Sequence, residues 1–181
     1  MTAKQRKYLP WAIGLLLVAV ILLVWWLTTR KGRSGRKSAI NDVWDPVSID
    51  RIKTLDERLQ PNAAAFINEM EQKHGIYLRV VQALRTFEEQ DRLYQQGRTT
   101  PGSIVTNAPA GHSYHNYGLA FDVVPIVNGA ADWDTPHWDL IGKVGKSYGF
   151  EWGGDWTTIL DRPHFQQTYG KHWSELINQA A

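Results

Sequence analysis

The apolar positions of this chain form one continuous run near its start and shorter periodic groups further along. The run reads WAIGLLLVAVILLVWWL at residues 11–27 and contains no charged side chain. As an α-helix it would span about 25 Å, and about 33 Å with residues 8–10 and 28–29 added, which matches the hydrocarbon core of a bilayer. The run is apolar on all sides, unlike a core helix, and no small-residue cleavage site of a signal peptide follows it. The pattern predicts a retained transmembrane helix within residues 1–29.

The residues that follow this run are polar and basic. Residues 30–41 read RKGRSGRKSAIN, which has glycine, serine and charge but no apolar periodicity, and this predicts a flexible tether. Residues 42–181 are about as long as one domain and can bury a core without disulfides. We therefore expect an anchor at residues 1–29, a tether at 30–41 and a single folded domain at 42–181.

Helical and strand periodicities alternate along the expected domain. Apolar positions at helical spacing, bounded by proline or capping residues and by glycine, predict four helices. They lie at residues 62–74, 88–96, 136–148 and 171–179. Runs rich in β-branched and apolar residues predict strands and short extended segments. These lie at residues 77–84, 118–125, 150–152 and 163–167, with a long polar loop at 98–114. Few strands mixed with separate helices indicate an α+β fold.

Charge divides the chain at the same place as hydropathy. Residues 1–41 hold eight basic and no acidic side chains, whereas residues 42–181 hold twelve basic and all eighteen acidic ones, which gives a net charge of −6. Domains that bind nucleic acid are usually basic, so we expect no nucleic-acid partner. The chain has no cysteine, which excludes disulfides, thiolate metal ligands and a cysteine nucleophile.

One acidic residue interrupts an otherwise apolar strand pattern. Asp122 lies within GLAFDVVP, where an ionised carboxylate needs a cation or several hydrogen-bond donors. His115 lies on the loop that leads into this strand, and His164 opens another short extended segment. Two imidazoles and one carboxylate can bind zinc and leave a fourth position for water, whose proton Asp161 is placed to accept. The alternative is that Asp122 caps a turn and the histidines are ordinary surface residues.

Five short segments occur in a fixed order across about residues 55–167. The central segment is SxHxxGxAxD at residues 113–122. The others are LRTFEEQDRLYQQGR at 84–98, VTNA at 105–108, GFEWGGDW at 149–156 and DRPHFQ at 161–166. Together they resemble the zinc peptidases of the VanY/peptidase M15 family, and most resemble its L-alanyl-D-glutamate peptidase branch, which includes phage endolysins. The resemblance implies a Hedgehog/DD-peptidase-like α+β domain with a small antiparallel sheet and flanking helices, here preceded by one transmembrane helix.

The resemblance also implies roles for individual residues. It places one zinc ion per chain on His115, Asp122 and His164, with Asp161 as the catalytic base. Arg85 matches the arginine with which the family binds substrate or stabilises the oxyanion. The alternative for Arg85 is a structural ion pair with a neighbouring glutamate.

Four further residues are candidates for places in or near the site. Ser113 either binds substrate or orders its loop. Trp152 and Trp156 have the same two alternatives. They either line a groove for a sugar-peptide polymer or fill the core beneath the site. His112 is either a neighbour of the metal ligands or a solvated loop residue.

These expectations combine into a membrane-anchored zinc peptidase that hydrolyses peptidoglycan stem peptides, with the L-Ala–D-Glu bond as the expected target. Carboxypeptidase relatives tend to carry glutamate where Asp161 stands, which favours an endopeptidase. The alternatives are a D,D- or L,D-carboxypeptidase on the same zinc site and a non-catalytic zinc-containing module that binds the cell wall. The expected partners are the stem peptide and the membrane, and the oligomeric state is left open.

The flanking charges and the expected substrate indicate opposite membrane orientations. Five basic side chains follow the apolar run, whereas three and the terminal amine precede it, which mildly favours a cytoplasmic domain. Peptidoglycan lies outside the cytoplasmic membrane, and long domains are translocated against such a bias. We therefore expect a single-pass protein of the bacterial cytoplasmic (inner) membrane, with its catalytic domain facing the periplasm or the cell wall.

Overall fold

The computed structural model describes residues 39–180. The predicted transmembrane helix and residues 30–38 of the predicted tether lie outside this range. Within residues 39–180, no helix combines the length and the apolar character needed to cross a bilayer. A 3₁₀ turn, Ala39–Asp42, occupies the predicted end of the tether, and Ile40 within it packs against the core.

An antiparallel sheet with flanking helices makes up the described part of the chain, which confirms the predicted α+β architecture. The helices are α1 (Pro46–Ile52), α2 (Gln60–His74), α3 (Phe87–Gln95), α4 (Trp138–Ser147) and α5 (Trp173–Ala180). The strands are β1 (Leu78–Gln82), β2 (Ala120–Val127), β3 (Ala130–Ala131), β4 (Glu151–Trp152) and β5 (His164–Gln166). The order across the sheet is β1–β2–β5–β4, and β3 pairs with the end of β2.

The ends of α2 and α3 lie at the capping residues of the sequence. Pro61 lies in the first turn of α2, and Gly75 ends this helix with a φ of 66°, in the left-handed region that glycine adopts without strain. Thr86 and Glu89 form a capping box at the start of α3, in which each side chain accepts a hydrogen bond from the other residue's backbone N–H. Both predicted helices are confirmed, with ends shifted by no more than two residues.

Helix α1 is not among the predicted elements, although the sequence contains a signal for it. Asp45 accepts a hydrogen bond from the Ser48 N–H at 3.1 Å, and Pro46 occupies the first turn. This helix has only seven residues, which are too few to show a clear apolar period. The signal for it in the sequence is the pair Asp45-Pro46, which is typical of a helix start. Its side chains cover the free edge of β1, since Ser48 accepts from the Val80 N–H and Arg51 donates to the Val80 carbonyl.

Aromatic rings fill the centre of the core between the sheet and helices α2 and α4. Phe66 on α2, Phe121 on β2 and Phe165 on β5 are fully buried, and the ring centroids of Phe66 and Phe165 lie 5.0 Å apart. Burying one such side chain contributes about 1.5–3 kcal/mol to folding. Helix α4 approaches the sheet closely because Gly145 faces the Phe165 ring, where a Cβ would overlap it.

The register of β2 and β5 decides which side chains face away from this core. Phe121 pairs with Phe165, and the next pair along the two strands is Asp122 with His164. Neighbouring side chains of a strand point to opposite faces, so the phenylalanines face the core while Asp122 and His164 face the other side. The same alternation places Gln166 on the face that carries His164.

Candidate metal centre

A tight turn before β2 brings His115 to the open face of the sheet. His115 lies in a 3₁₀ turn, Tyr114–Tyr117, which Gly118 ends with a φ of 65°. A Cβ on Gly118 would lie 3.0 Å from the backbone nitrogen of Asp56, so this reversal requires glycine. Ser113 begins the turn, and its hydroxyl accepts a hydrogen bond from the His115 N–H at 3.4 Å. The loop-ordering alternative for Ser113 therefore has a contact that supports it.

His115, Asp122 and His164 converge on one point. Asp122 Oδ1 lies 3.3 Å from His115 Nε2 and 3.1 Å from His164 Nδ1, and these two nitrogens are 3.2 Å apart. Both histidines are buried, while the Asp122 side chain is partly exposed. One donor atom from each residue lies within 4.8 Å of the other two, so the group can hold a metal ion. The fold thus brings together the three residues that the sequence analysis named as ligands.

The second nitrogen of each imidazole faces an acceptor. His115 Nδ1 lies 2.8 Å from the Ala83 carbonyl oxygen, and His164 Nε2 lies 3.0 Å from Gln166 Oε1. These acceptors hold the proton on His115 Nδ1 and His164 Nε2, which leaves the other two nitrogens free to bind a metal. Two neutral imidazole nitrogens and a carboxylate oxygen are a donor set suited to zinc. The residues present therefore fit the expected ion.

Asp122 and His164 stabilise each other's charged forms. Burial alone would raise the pKa of Asp122, but the two imidazoles outweigh burial and hold that pKa well below its ordinary value. Burial alone would lower the pKa of His164, but the hydrogen bond to Asp122 and the charge of that carboxylate raise it. A negative potential that favours a protonated imidazole equally favours a divalent cation beside the carboxylate.

Asp161 lies in the same region, on the segment that leads into β5. Its N–H donates to the Gly153 carbonyl at 3.1 Å, and its own carbonyl accepts from the His164 N–H at 3.2 Å. Gly153 permits this packing, because a Cβ there would lie 3.1 Å from the Cβ atoms of both Asp161 and His164. Burial raises the pKa of the Asp161 carboxyl, against the opposing effect of the His164 charge. A carboxyl with a raised pKa beside a metal group is suited to proton transfer.

Arg85 provides the only lysine or arginine side chain among the described residues that line the cleft around these groups. Its Nη1 donates to Gln90 Oε1 at 2.8 Å, and its Nη2 lies 4.0 Å from Asp122 Oδ2. Its buried Nε has no hydrogen-bond partner among the described residues. Gln90 is itself fully buried and donates to the Ala108 carbonyl at 2.7 Å, so it fixes the guanidinium. Gln90 lies within the LRTFEEQDRLYQQGR motif, but the sequence has no local signal for its contact with Arg85.

Known proteins resemble this chain over the segment that contains these residues. The model of the D-alanyl-D-alanine carboxypeptidase family of M15 peptidases matches residues 106–167, a range that includes both histidines, Asp122 and Asp161. The peptidoglycan L-alanyl-D-glutamate endopeptidase CwlK of Bacillus subtilis (strain 168) is 37% identical over 140 residues, which cover 72% of this chain and 80% of that protein. The chain belongs to the M15 peptidase family. It is therefore a metallopeptidase, as the resemblance implied.

Two further comparisons extend the match in sequence and in fold. The L-alanyl-D-glutamate peptidase of Listeria phage A118 is 30% identical over 122 residues, which cover 66% of this chain but only 40% of the phage protein. The crystal structure of the L-Ala D-Glu endopeptidase ChiX of Serratia marcescens superposes with a TM-score of 0.52 at 23% identity, covering 68% of this chain and 88% of that one. The second comparison supports the fold of this M15 peptidase.

In this M15 peptidase, the metal group lies in an open cleft of about 940 Å³. Its lining includes Ile104 and Val105 of the predicted long loop, together with Trp156 and Ile159. The two isoleucines and the valine are about half exposed, and the ring centroid of Trp156 lies 5.0 Å from that of His164. Apolar walls around a few convergent polar groups are typical of a ligand-binding cleft.

Trp152 does not line this cleft. It is 7% exposed, and its indole N–H donates to a backbone carbonyl at 2.7 Å. Trp152 pairs with Phe165 on the core face of the sheet, whereas Glu151 pairs with Gln166 on the cleft face. This alternation corrects the prediction that Trp152 contacts substrate and supports the alternative of a core residue. The tryptophan beside the metal group is Trp156.

His112 lies at the edge of the same cleft rather than among the metal ligands. Its ring stacks on Trp173 at the start of α5, with centroids 3.7 Å apart and an angle of 21° between the planes. Both rings line the cleft. Neither alternative from the sequence describes this position, because the stacking partner comes from a distant part of the chain.

Proposed function

We propose that this M15 peptidase hydrolyses peptidoglycan stem peptides at the L-Ala–D-Glu bond, with one zinc ion held by His115, Asp122 and His164. The observation that carries the proposal is the convergence of three metal-binding atoms in an open cleft that also contains Asp161 and Arg85. CwlK and the Listeria phage protein, both named as L-alanyl-D-glutamate peptidases, support the choice of bond.

Asp161 and Arg85 act at different steps of the proposed hydrolysis. Bound zinc would supply Lewis acidity, which lowers the pKa of a water molecule and polarises the scissile carbonyl. Asp161 accepts the proton of the attacking water and then donates it to the leaving amine, and a raised pKa suits both transfers. Arg85 stabilises the negative charge that develops on the carbonyl oxygen, since its guanidinium is the cationic group of the cleft lining.

A carboxypeptidase that removes a terminal D-alanine is the second candidate. The description of the matching family favours it, and a guanidinium beside the scissile bond can pair with a terminal carboxylate. CwlK and the Listeria phage protein, both named as L-alanyl-D-glutamate peptidases, favour the endopeptidase.

A non-catalytic zinc module that only binds the cell wall agrees less well with the site. Structural zinc sites are closed by four protein ligands and need no base. Here three ligand atoms face an open cleft whose lining also includes Asp161, a partly buried residue whose carboxyl pKa is raised by burial.

The products of a muropeptide digest distinguish these functions. Full-length protein in mild detergent is incubated with purified muropeptides, and the product masses are measured. The endopeptidase releases a peptide whose amino terminus is D-Glu, whereas a carboxypeptidase releases free D-alanine. Release of D-alanine without a new D-Glu terminus would contradict the proposed bond, and the absence of any product would contradict a catalytic function.

We further propose that the apolar run at residues 11–27 anchors the domain on the outer side of the cytoplasmic membrane. Its length, its lack of charge and the extracytoplasmic location of peptidoglycan support this placement. An alkaline phosphatase fused after residue 181 should be active, because this reporter folds outside the cytoplasm. An inactive phosphatase fusion, with an active cytoplasmic reporter at the same position, would contradict the placement.

A further inference from the structure

The two histidines of the metal group face different kinds of hydrogen-bonding partner. His115 Nδ1 faces the backbone carbonyl of Ala83 at 2.8 Å, and a carbonyl can only accept. His164 Nε2 faces the side-chain amide of Gln166 at 3.0 Å, and an amide offers either an accepting oxygen or a donating nitrogen. The backbone alone therefore fixes the proton of His115, whereas the proton of His164 depends on how the Gln166 amide is turned.

Glu151 determines how that amide is turned. Its Oε2 lies 2.8 Å from Gln166 Nε2, and a carboxylate accepts hydrogen bonds without donating any. The amide nitrogen is therefore kept towards Glu151, and the amide oxygen towards His164. Glu151 and Gln166 are paired across β4 and β5, and Gln166 is 7% exposed, so water competes little for the hydrogen bond between Gln166 and His164.

We propose that Gln166 and Glu151 are positioning residues that hold the proton of His164 on Nε2 and leave Nδ1 free to bind the metal. The inference rests on the proposed metal site. With the amide turned over, its nitrogen would donate to Nε2, and the imidazole proton would move to Nδ1, the atom that lies 3.1 Å from Asp122 Oδ1. A protonated nitrogen cannot bind a metal, so this pair of side chains sets metal affinity.

Zinc affinity of the full-length protein tests the loss of this contact. Competition with a chromophoric chelator measures the dissociation constant without reference to turnover. Gln166→Ala should bind zinc about 10–100-fold more weakly than wild type, the range seen when a partner of a metal-bound histidine is removed. Glu57→Gln changes the charge of an exposed glutamate outside the cleft lining and should leave the affinity unchanged. Wild-type affinity in Gln166→Ala would overturn the proposal.

An exchange of the two side chains separates positioning from packing. The double variant Glu151→Gln with Gln166→Glu again pairs one amide with one carboxylate, and His164 Nε2 again faces an oxygen. Its zinc affinity should recover to within a few-fold of wild type. If Gln166 and Glu151 served only to pack the fold, the double variant would bind zinc at least as weakly as Gln166→Ala. A double variant as weak as Gln166→Ala, with unchanged thermal unfolding, would overturn the proposal.

The tautomer of His164 gives a direct measurement that does not involve cleavage. Imidazole ¹⁵N shifts of the zinc-loaded protein should show His164 bound to zinc through Nδ1 with its proton on Nε2, in wild type and in the double variant, and this proton should exchange slowly with solvent. In Gln166→Ala the Nε2 proton should exchange faster, because no amide oxygen accepts it. A wild-type His164 protonated on Nδ1 would overturn the positioning role, whatever bond the enzyme cleaves. A wrong bond in the muropeptide digest would overturn only the proposed function.

Discussion

Asp122 and His164 occupy paired positions of β2 and β5, so the backbone hydrogen bonds of a sheet hold two of the three residues of the metal group in place. His115 comes from the turn before β2, and Asp161 from the segment before β5. The Asp161 backbone contacts His164, but the Asp161 carboxyl group is not one of the three proposed zinc ligands. Changing Asp161 should leave the metal group intact.

Asp161→Asn should retain zinc and lose turnover. The substitution keeps the size of the side chain but removes its ability to accept the water proton, so kcat should fall by about 10²–10⁴-fold. Zinc content and muropeptide turnover are measured on the same preparation. Asp155→Asn is a matched control, since Asp155 is a half-exposed residue of the preceding turn that does not line the cleft. A wild-type rate in Asp161→Asn would remove Asp161 from the proposed mechanism.

At the scale of elements, helix α4 supports the strands that carry the site. Two of its glycines face the sheet, where a Cβ on Gly142 would overlap the Trp152 indole and a Cβ on Gly145 would overlap the Phe165 ring. These side chains belong to β4 and β5, the strands that also provide Glu151 and His164. The close approach of α4 therefore helps to fix the position of a proposed metal ligand.

Gly145→Ala should destabilise the domain although alanine favours helix formation. The gain in helix propensity is about 1 kcal/mol, and added volume in a packed core costs about 1–3 kcal/mol. Because Gly145 is buried against a phenylalanine ring, we expect a net loss of up to about 2 kcal/mol in the free energy of unfolding. Urea unfolding measures it, with the exposed Lys143→Ala of the same helix as the control. If Gly145→Ala were at least as stable as wild type, the prediction would be wrong, and the Phe165 ring could move aside without loss of stability.

At the scale of the whole molecule, local signals in the sequence predicted much of the fold. Proline, glycine and the capping box placed α2 and α3, and an isolated carboxylate in an apolar strand indicated Asp122 as a ligand. His115, His164 and Asp161 completed a possible zinc site, and the family resemblance added Arg85. These signals all lie within a few residues of the feature that they predict.

Features that depend on pairing between distant segments could not be predicted in this way. The order β1–β2–β5–β4 and the pairing of Glu151 with Gln166 join segments with no local signal of their contact. The position of Trp152 could not be predicted for the same reason. Side chains alternate along β4, but which of them face the core is known only from the strand that pairs with β4. Stacking of His112 on Trp173 likewise depends on where α5 lies.

A buried ion pair links the segment before α1 to the sheet and gives stability a pH dependence. Arg79 donates from Nε and Nη2 to the two carboxylate oxygens of Asp45 at 3.0 and 3.1 Å. Burial alone would raise the pKa of Asp45, but the hydrogen bonds from Arg79 and Ser48 outweigh it and hold that pKa below its ordinary value of 3.8. The pair therefore stabilises the fold above pH 3.8 and loses this contribution as the pH falls towards the lower folded-state pKa.

Asp45→Asn should reveal this dependence. Asparagine can still cap α1, so the change chiefly removes charge, and we expect a loss of about 1.5–3 kcal/mol in the free energy of unfolding near neutral pH. The difference from wild type should narrow below pH 3.8 as Asp45 of the wild type is protonated. Urea unfolding at neutral and acidic pH measures it, with Asp50→Asn, whose side chain is 79% exposed, as the control. A difference that is equal at both pH values would contradict the role of the charge.

Metal-dependent cleavage of the L-Ala–D-Glu bond is tested most directly by a muropeptide digest with chelator, followed by stepwise return of zinc. Full-length protein stripped of metal should release no product, and activity should return as zinc approaches one ion per chain. The restored product should carry D-Glu at its amino terminus, and His115→Ala should not recover with the same zinc concentrations. Cleavage by fully metal-free protein, or restored activity that releases only free D-alanine, would contradict the proposed function.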